Sequence, residues 1–396
     1  MMMKKFVLVF SICISMVSFS QKKTAVKGII LDQENFLISY ASVGIINKNI
    51  GTTSTDEGSF YLMVTDQEMN DTLQISSIGY DTYKVRIKDF ISQKSHKVIL
   101  KEKTIELSEI SLVSTEYYVK KALKNLKNNT VRKKHELKIL YRRWSVEDDI
   151  CRFYIEHFMN VIDRGPSSYI SKYSIQESRK SSEYRFIKNS QNRHAIEYME
   201  INNPLRDGMF LNDYEWKKIE NSSYDGEDVL VAEGSNNGIN TIKLYIGYDS
   251  YKIYRLEIIR SPPKVGKYLN AIYLYKKNKE GKLYLSYHNR EWGGSAKTPK
   301  SVKRLHALKN KSTKEFTPVA YRHEVFVLEV EEDEKKFETY KAIEKMDMTL
   351  YEIPYNENFW NSISLPPETS FYKKNISELE SLFNVPIATQ FKYSNR

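Results

Sequence analysis

The residues of this chain that could do chemistry are few and scattered. His288-Asn-Arg-Glu291 has the His-x-x-Glu spacing of a zinc-binding pair, and His323 offers a third ligand. Imidazole and carboxylate are good zinc ligands, and a catalytic zinc needs three protein ligands. However, roughly one such pair arises by chance in a chain with seven histidines and abundant glutamate, and no wider zinc motif surrounds it. Cys151 and His157 suggest a thiol and its base, yet residues six apart on a strand are separated by roughly 20 Å. Cys151, Phe153, Ile155 and His157 share one face of an alternating strand, so the thiol reads as buried and inert. Asp56 and Glu57 offer calcium two adjacent acids where it takes about six to eight oxygens. No catalytic, cofactor-binding or metal residue is assigned, and the chain reads as non-enzymatic.

What the sequence does supply is positive charge. Lysine and arginine number 61 against 50 acids, a net charge of +11, and two stretches concentrate it. Lys120 to Arg143 is interleaved with Glu136 and follows Glu116, which neutralise it locally. Lys297, Lys300, Lys303, Arg304, Lys309, Lys311 and Lys314 run without an acid until Glu315, in a segment that reads as a long loop. These seven are the candidate surface-binding residues. The plain reading is a solvated face; the functional one is docking on an anionic envelope surface.

The compartment follows from the first residues. Lys4 and Lys5 precede an apolar run to Val17, shorter than the roughly 20 residues that span a bilayer, and Ser18 and Ser20 suit cleavage after Ser20. Residues 1–20 therefore read as a secretory signal peptide. Cys13 is preceded by Ile12, where an acylated cysteine calls for a small residue, so a lipid anchor is disfavoured. Removal of the signal leaves Cys151 as the remaining thiol, and no internal disulfide forms. No second apolar run is long enough for a transmembrane helix. An exported protein of the periplasm, or of the periplasmic face of the outer membrane, has no nucleic acid to meet.

From Thr24 to Lys101 short alternating segments recur between turn signals: Val26–Leu31, Ser42–Ile46, Ser59–Val64, Thr72–Ser76, Tyr83–Ile87 and Lys97–Leu100. This spacing predicts a small β-sandwich. In Gly51-Thr-Thr-Ser-Thr-Asp-Glu-Gly-Ser-Phe60, Gly58 is the expected left-handed turn residue. Together with Val26-Lys-Gly-Ile-Ile-Leu-Asp32, Ile38-Ser-Tyr-Ala-Ser-Val43 and Leu73-Gln-Ile-Ser-Ser-Ile-Gly-Tyr80, this block resembles the carboxypeptidase-like regulatory domain. The resemblance implies a transthyretin-like sandwich of the kind found at the front of exported Gram-negative proteins, TonB-dependent receptors among them. Neither the plug nor room for a large barrel follows here. In peptidases the domain is an accessory, so it implies no hydrolysis.

Beyond it, residues 102–130 read as an exit strand from Thr104 to Val113 and an amphipathic helix from Glu116 to Leu126. Residues 131–396 read as a β-rich antiparallel domain, with strands at Leu137–Ser145, Cys151–Ile162, Val229–Glu233, Thr241–Ile246, Lys252–Ile259, Ala271–Lys276, Leu283–Tyr287 and Glu324–Val330. Leu140-Tyr-Arg-Arg-Trp144, Ile242 to Tyr254 and Gly281 to Tyr287 resemble a region that recurs after this sandwich in exported proteins. Ile242 to Tyr254 also resembles the strands of periplasmic lipoprotein-carrier half-barrels, which would make the domain a curved half-barrel. The expected fold is mainly β. The expected function is binding or scaffolding, with an envelope protein or an anionic envelope surface as partner. A periplasmic carrier of an apolar ligand is the alternative, and a zinc-dependent hydrolase a distant third.

Overall fold

The computed structural model describes residues 23–46, 48–103, 113–166, 170, 172–187, 203–207, 211–236, 238, 240–260, 267–308, 312–338, 347–363 and 365–395. The signal peptide and most of the exit strand expected at Thr104–Val113 lie outside these residues. The described chain is mainly β.

The N-terminal sandwich pairs two sheets. One holds β1 (Lys23–Leu31), β4 (Ser59–Thr65) and β7 (Lys97–Ile99); the other holds β2 (Ser42–Ile45), β3 (Gly51–Thr53), β5 (Thr72–Ser76) and β6 (Tyr83–Arg86). Alternation along β4 buries Phe60, Leu62 and Val64 against Val26, Val43, Leu73 and Ile75, as period-two side chains require. After β6 a short helix, α1 (Ile87–Ile91), adds Ile87 and Phe90 to this core. Gly58 has φ +70°, and a Cβ there would stand 2.7 Å from the Ile30 carbonyl. Both its conformation and its space exclude a side chain.

The larger sheet contains β8 (His135–Glu147), β9 (Ile150–Asp163), β10 (Lys172–Lys180), β11 (Glu215–Tyr224), β12 (Glu227–Asn236), β13 (Asn240–Gly247), β14 (Ile253–Arg260), β15 (Tyr268–Lys277), β16 (Leu283–Lys297) and β17 (Phe316–Glu331). Its order is β10-β9-β8-β17-β16-β15-β14-β13-β12-β11, antiparallel throughout. The first three strands step outward from the centre. The chain then resumes at the far edge with β11 and meanders back until β17 pairs with β8. Asp148-Asp149 and Asp225-Gly226, all at positive φ, form the two-residue turns that suit the twist of such hairpins. The sheet is open, ending on β10 and β11.

Its two faces are clad differently. On the inner face lies α2 (Thr115–Asn129), whose first turn is capped by the Ser114 hydroxyl accepting from the Tyr117 amide at 3.3 Å. Val119, Ala122 and Leu126 of α2, with Leu205 of α3 (Pro204–Asp207), pack on Ala232, Leu244, Leu256 and Tyr273. Between β16 and β17, where the sequence reads as a loop, the chain forms α4 (Lys300–Leu308). Lys, Arg, Leu and Ala are strong helix formers, and Pro299 suits the entry.

The outer face carries α5 (Glu357–Ser362), α6 (Ser370–Ser381) and α7 (Ile387–Ser394), none of them expected from sequence. Tyr372, Leu379 and Phe391 pack there on Trp144, Cys151 and Tyr154. The sandwich docks beside them. Tyr40 stacks on Tyr287 at 5.4 Å, Asp56 accepts from Arg322 at 3.0 Å, and Glu57 accepts from the Ser370 amide at 2.7 Å. The Lys276 ammonium donates to the carbonyls of Val43 (2.7 Å) and Thr52 (3.1 Å). It fits because residue 51 is glycine; a Cβ there would lie 2.7 Å from Nζ.

Candidate functional site

The cross-strand register sorts the buried polar residues of the large sheet into two sets. On the outer face Glu324, Arg142, Glu156 and Arg179 are successive neighbours on β17, β8, β9 and β10. Charge alternates along this row. The Glu156 carboxylate, fully buried, accepts from Arg142 Nε and Arg179 Nε at 2.5 Å each. Burial alone would raise its pKa, but Arg179 and Arg142 outweigh that and hold it low, as expected for opposite charges in contact. Arg322 extends the network by donating to Glu324 at 2.6 Å and to Asp56 of the sandwich. This is a clamp, and its acids and bases satisfy one another.

On the inner face the corresponding row is Arg290, His323 and Arg143, on β16, β17 and β8. The next row is Tyr273, His288, Val325, Tyr141 and His157. The imidazoles of His157, His288 and His323 are completely buried, and neither ring nitrogen of any of them has a hydrogen-bond partner among the described residues. Their neighbours are rings: Tyr141 lies 6.2 Å from His157 and 5.8 Å from His323, Tyr273 stacks on His288 at 5.3 Å, and His288 meets His323 edge to face at 5.2 Å. Trp292 is flanked by two guanidiniums, Arg290 at 4.6 Å and Arg143 at 5.0 Å from its ring centre.

Burial lowers the pKa of His157 and His288 to about 3, and nearby cations add to it: Lys180 for His157, Arg206 and Arg290 for His288. His323 is lowered well below its ordinary value by burial, then by His288, Arg290 and Arg143. All three are neutral at ordinary pH, each with one donor and one acceptor to offer. Ser178 is the cross-strand neighbour of His157, yet no hydrogen bond joins them, so no serine–imidazole nucleophile pair is assembled. Neutral and without partners among the described residues, the three imidazoles can donate to and accept from a polar group.

Sequence reasoning set His288 beside His323 only as candidate zinc ligands and did not connect either with His157. It weighed His288 with Glu291, but residues three apart on a strand face opposite ways, and Glu291 accepts instead from Tyr268 at 3.0 Å. It placed Cys151 on the face of His157. A bulge where Ser145 and Val146 meet Phe153 and Cys151 shifts the register by one residue, which turns Cys151 to the outer face among Trp144, Tyr154 and Leu379. Burial raises its thiol pKa far above the usual range. Among the surface lysines, Lys297 closes β16, and Lys300, Lys303 and Arg304 lie on α4. Lys309 and Lys311 lie outside the described residues. Lys314 is not free: it pairs with Asp148 at 2.7 Å.

Comparison with known families bears on the sandwich. Residues 26–112 match the CarboxypepD_reg-like domain. The match to this CarboxypepD_reg-like domain runs past Lys101 and takes in the exit segment before α2. A comparison with curated proteins gives no match. Among solved structures, a LolA-superfamily protein from Nitrosomonas europaea is 11% identical, with a TM-score of 0.21, covering 52% of this chain and 92% of its own. A DUF1329 family protein from Desulfovibrio piger is 10% identical, with a TM-score of 0.24 and coverage of 54% and 94%. The MucA/MucB complex of Pseudomonas aeruginosa gives 7% identity, a TM-score of 0.18 and coverage of 53% and 97%. Values this small bring no property of those proteins to this chain. No helix among the described residues is long and apolar enough to cross a membrane.

Proposed function

We propose that this is a non-enzymatic binding protein of the cell envelope, exported to the periplasm or the periplasmic face of the outer membrane, and that its ligand is held against the inner face of the large sheet. The observation that carries this reading is the set of buried imidazoles of His157, His288 and His323, without hydrogen-bond partners on any ring nitrogen among the described residues. Leaving a buried polar group unsatisfied costs about 1–3 kcal/mol, and a fold optimised for stability alone would fill these positions with apolar side chains. Groups kept at that cost are fitted to a partner. The domain boundaries expected from sequence belong to the same proposal: a sandwich to Lys101, a connector to about Thr130, and the binding sheet thereafter.

The apolar part of the inner face is already covered by Val119, Ala122 and Leu126 of α2. What remains is the polar, aromatic centre, which is closed in this structure, with His157, His288 and His323 all 0% exposed; a ligand must part the side chains around it, and has hydrogen-bonding groups as well as surface for Tyr141, Tyr273 and Trp292 to pack on. Protein purified from the periplasm, extracted with organic solvent and examined by mass spectrometry, yields a stoichiometric small molecule on this reading. The paired substitution His288→Phe and His323→Phe lowers affinity for that molecule about 30-fold, as two hydrogen bonds of about 1 kcal/mol each would. Recovery of nothing from the parent removes the reading. Recovery of lipid in equal yield from parent and variant favours the second one, a carrier of an apolar ligand.

A further inference from the structure

The basic segment after Lys297 is untouched by the inner-face reading, and its structure is what gives it meaning. Over α4 the side chains separate by type at about 100° per residue. Val302, Leu305 and Leu308 fall on one arc, and Lys300, Lys303 and Arg304 on the opposite one. No residue of this helix is buried; Leu308 is 76% and Leu305 49% exposed, with Phe316 nearby in sequence 55% exposed. None of Lys297, Lys300, Lys303 and Arg304 makes an ion pair with a described residue.

The helix is also firmly mounted. Its neck is closed by the Thr298 amide donating to the Glu315 carbonyl at 2.9 Å and by a 2.8 Å hydroxyl contact between Thr298 and Thr317. Lys314 ties the returning strand to the β8–β9 turn through Asp148. Thus α4 stands at one end of the β16–β17 hairpin, while Ile50 of the sandwich bridges Glu329 toward the other. An amphipathic helix whose apolar arc leaves Leu305 and Leu308 exposed among the described residues is incomplete as a soluble element.

We infer that α4 is a membrane-docking helix that lies in the surface of an anionic phospholipid bilayer. Leu305 and Leu308 enter the boundary between head groups and acyl chains, and Lys297, Lys300, Lys303 and Arg304 meet lipid phosphates. Charge complementarity selects this occupant. The sequence from Lys297 to Lys314 contains no acid, and an apolar arc bordered by lysine and arginine is the pattern of helices that lie in a membrane interface. A protein partner would need a matching acidic rim, whereas an anionic leaflet presents phosphates at every approach angle. The attraction is short-ranged, screened within about 8 Å at physiological salt, so the leucines supply the hold and the cations the selectivity.

Vesicle flotation of the full chain tests this, using phosphatidylcholine mixed with phosphatidylglycerol and phosphatidylcholine alone. The parent binds the mixed vesicles, less so as salt rises, and leaves the neutral ones. Changing Lys300, Lys303 and Arg304 together to Gln lowers partitioning about 100-fold, at about five-fold per charge. Leu305→Ser with Leu308→Ser lowers it at least about ten-fold at any salt. Melting temperatures stay at the parent value, since none of these side chains is buried. Three results overturn the inference: no binding by the parent, equal binding to neutral vesicles, or binding retained by both variants. A parent that instead self-associates, with association lost in the leucine variant and no vesicle binding, also overturns it and makes α4 a contact between copies. No inner-face residue is altered, so failure here leaves the ligand-binding reading standing.

Discussion

Strands β17, β8 and β9 carry two opposite treatments of buried polarity, one residue apart in register. Arg142 and Arg143 are adjacent in sequence. Arg142 looks outward into the row Glu324-Arg142-Glu156-Arg179, while Arg143 looks inward beside His323 and Arg290. Outward, every charge in the row has an opposite charge beside it, and the C-terminal helices and the sandwich close over them. Inward, the face holds the buried Asp163–Arg206 pair at 2.9 Å and, beside it, three imidazoles that find no protein partner among the described residues. On the proposed reading the satisfied row holds the fold together and the three imidazoles hold a ligand. If this division is right, the two faces respond oppositely to losing a polar side chain.

The largest effect is expected at Glu156. Replacing it by Gln leaves the guanidiniums of Arg142 and Arg179 buried without their counter-charge, and breaking such a pair costs about 3–5 kcal/mol. Urea unfolding of parent and Glu156→Gln should show that difference at unchanged m-value. A midpoint shift of less than about 1 kcal/mol would mean the outer row is not a clamp.

Next comes the sandwich's hold on that face, which depends on one turn. Gly58 directs Asp56 to Arg322 and Glu57 to the first amide of α6. The Ser370 hydrogen bonds lower the Glu57 pKa. Gly58→Val combines a β-branched residue at positive φ with a Cβ 2.7 Å from the Ile30 carbonyl, and should destabilise by at least about 2 kcal/mol. It should also speed proteolysis between the sandwich and α2, because the clamp is misaimed. Unchanged cleavage in a folded Gly58→Val protein would separate the turn from the docking.

Much of this was legible in the sequence, for reasons that also explain the gaps. The sandwich was readable because its strands are half-buried and alternate, as Phe60, Leu62 and Val64 do. The inner strands of the large sheet were readable as β-branched and aromatic runs, although β16 and β17 extend well beyond the expected ends. Strands β10 and β11, Lys172 to Lys180 and Glu215 to Tyr224, were missed because edge strands carry polar residues that blunt unwanted pairing and so hide the alternation. The helices α5 to α7 were missed although a signal existed: Thr369 caps α6 through the Tyr372 amide, and Tyr372, Ile376 and Leu379 repeat at helical spacing. Of the inner-face cluster, His288 and His323 were considered together only as zinc ligands, and His157 was not connected with them. His288 and His323 meet across the β16–β17 hairpin, whereas His157 on β9 joins them only through the return of β17 to β8 after a long meander. Nor could the bulge that parts Cys151 from His157 be read from composition.

The smallest effect is the sharpest test of the comparison, because it depends on sign. His323→Phe removes an imidazole that lacks hydrogen-bond partners and sits among Tyr141, His288 and Trp292, a setting that accepts another ring. At pH 7 the variant should be as stable as the parent or slightly more so, since replacing an unsatisfied polar group by an apolar one of similar shape is close to neutral. Acid brings out the difference. A free imidazole takes up its proton near pH 6.5, while burial keeps His157 and His288 neutral down to about 3 and lowers His323 well below its ordinary value. Between those limits the unfolded chain holds more protons than the folded one, so stability falls as pH falls. Each such imidazole contributes a slope of about 1.4 kcal/mol per pH unit. The groups facing them, Lys180, Glu156 and Asp347 around His157 and Arg143 and Arg290 around His323, are common to parent and variant. Denaturation midpoints measured from pH 7 to pH 4 should therefore decline less steeply in His323→Phe, by one proton's worth. A variant much weaker than the parent at pH 7, with the same acid slope, would show that His323 is held by the protein as Glu156 is, and the contrast between the two faces would be lost.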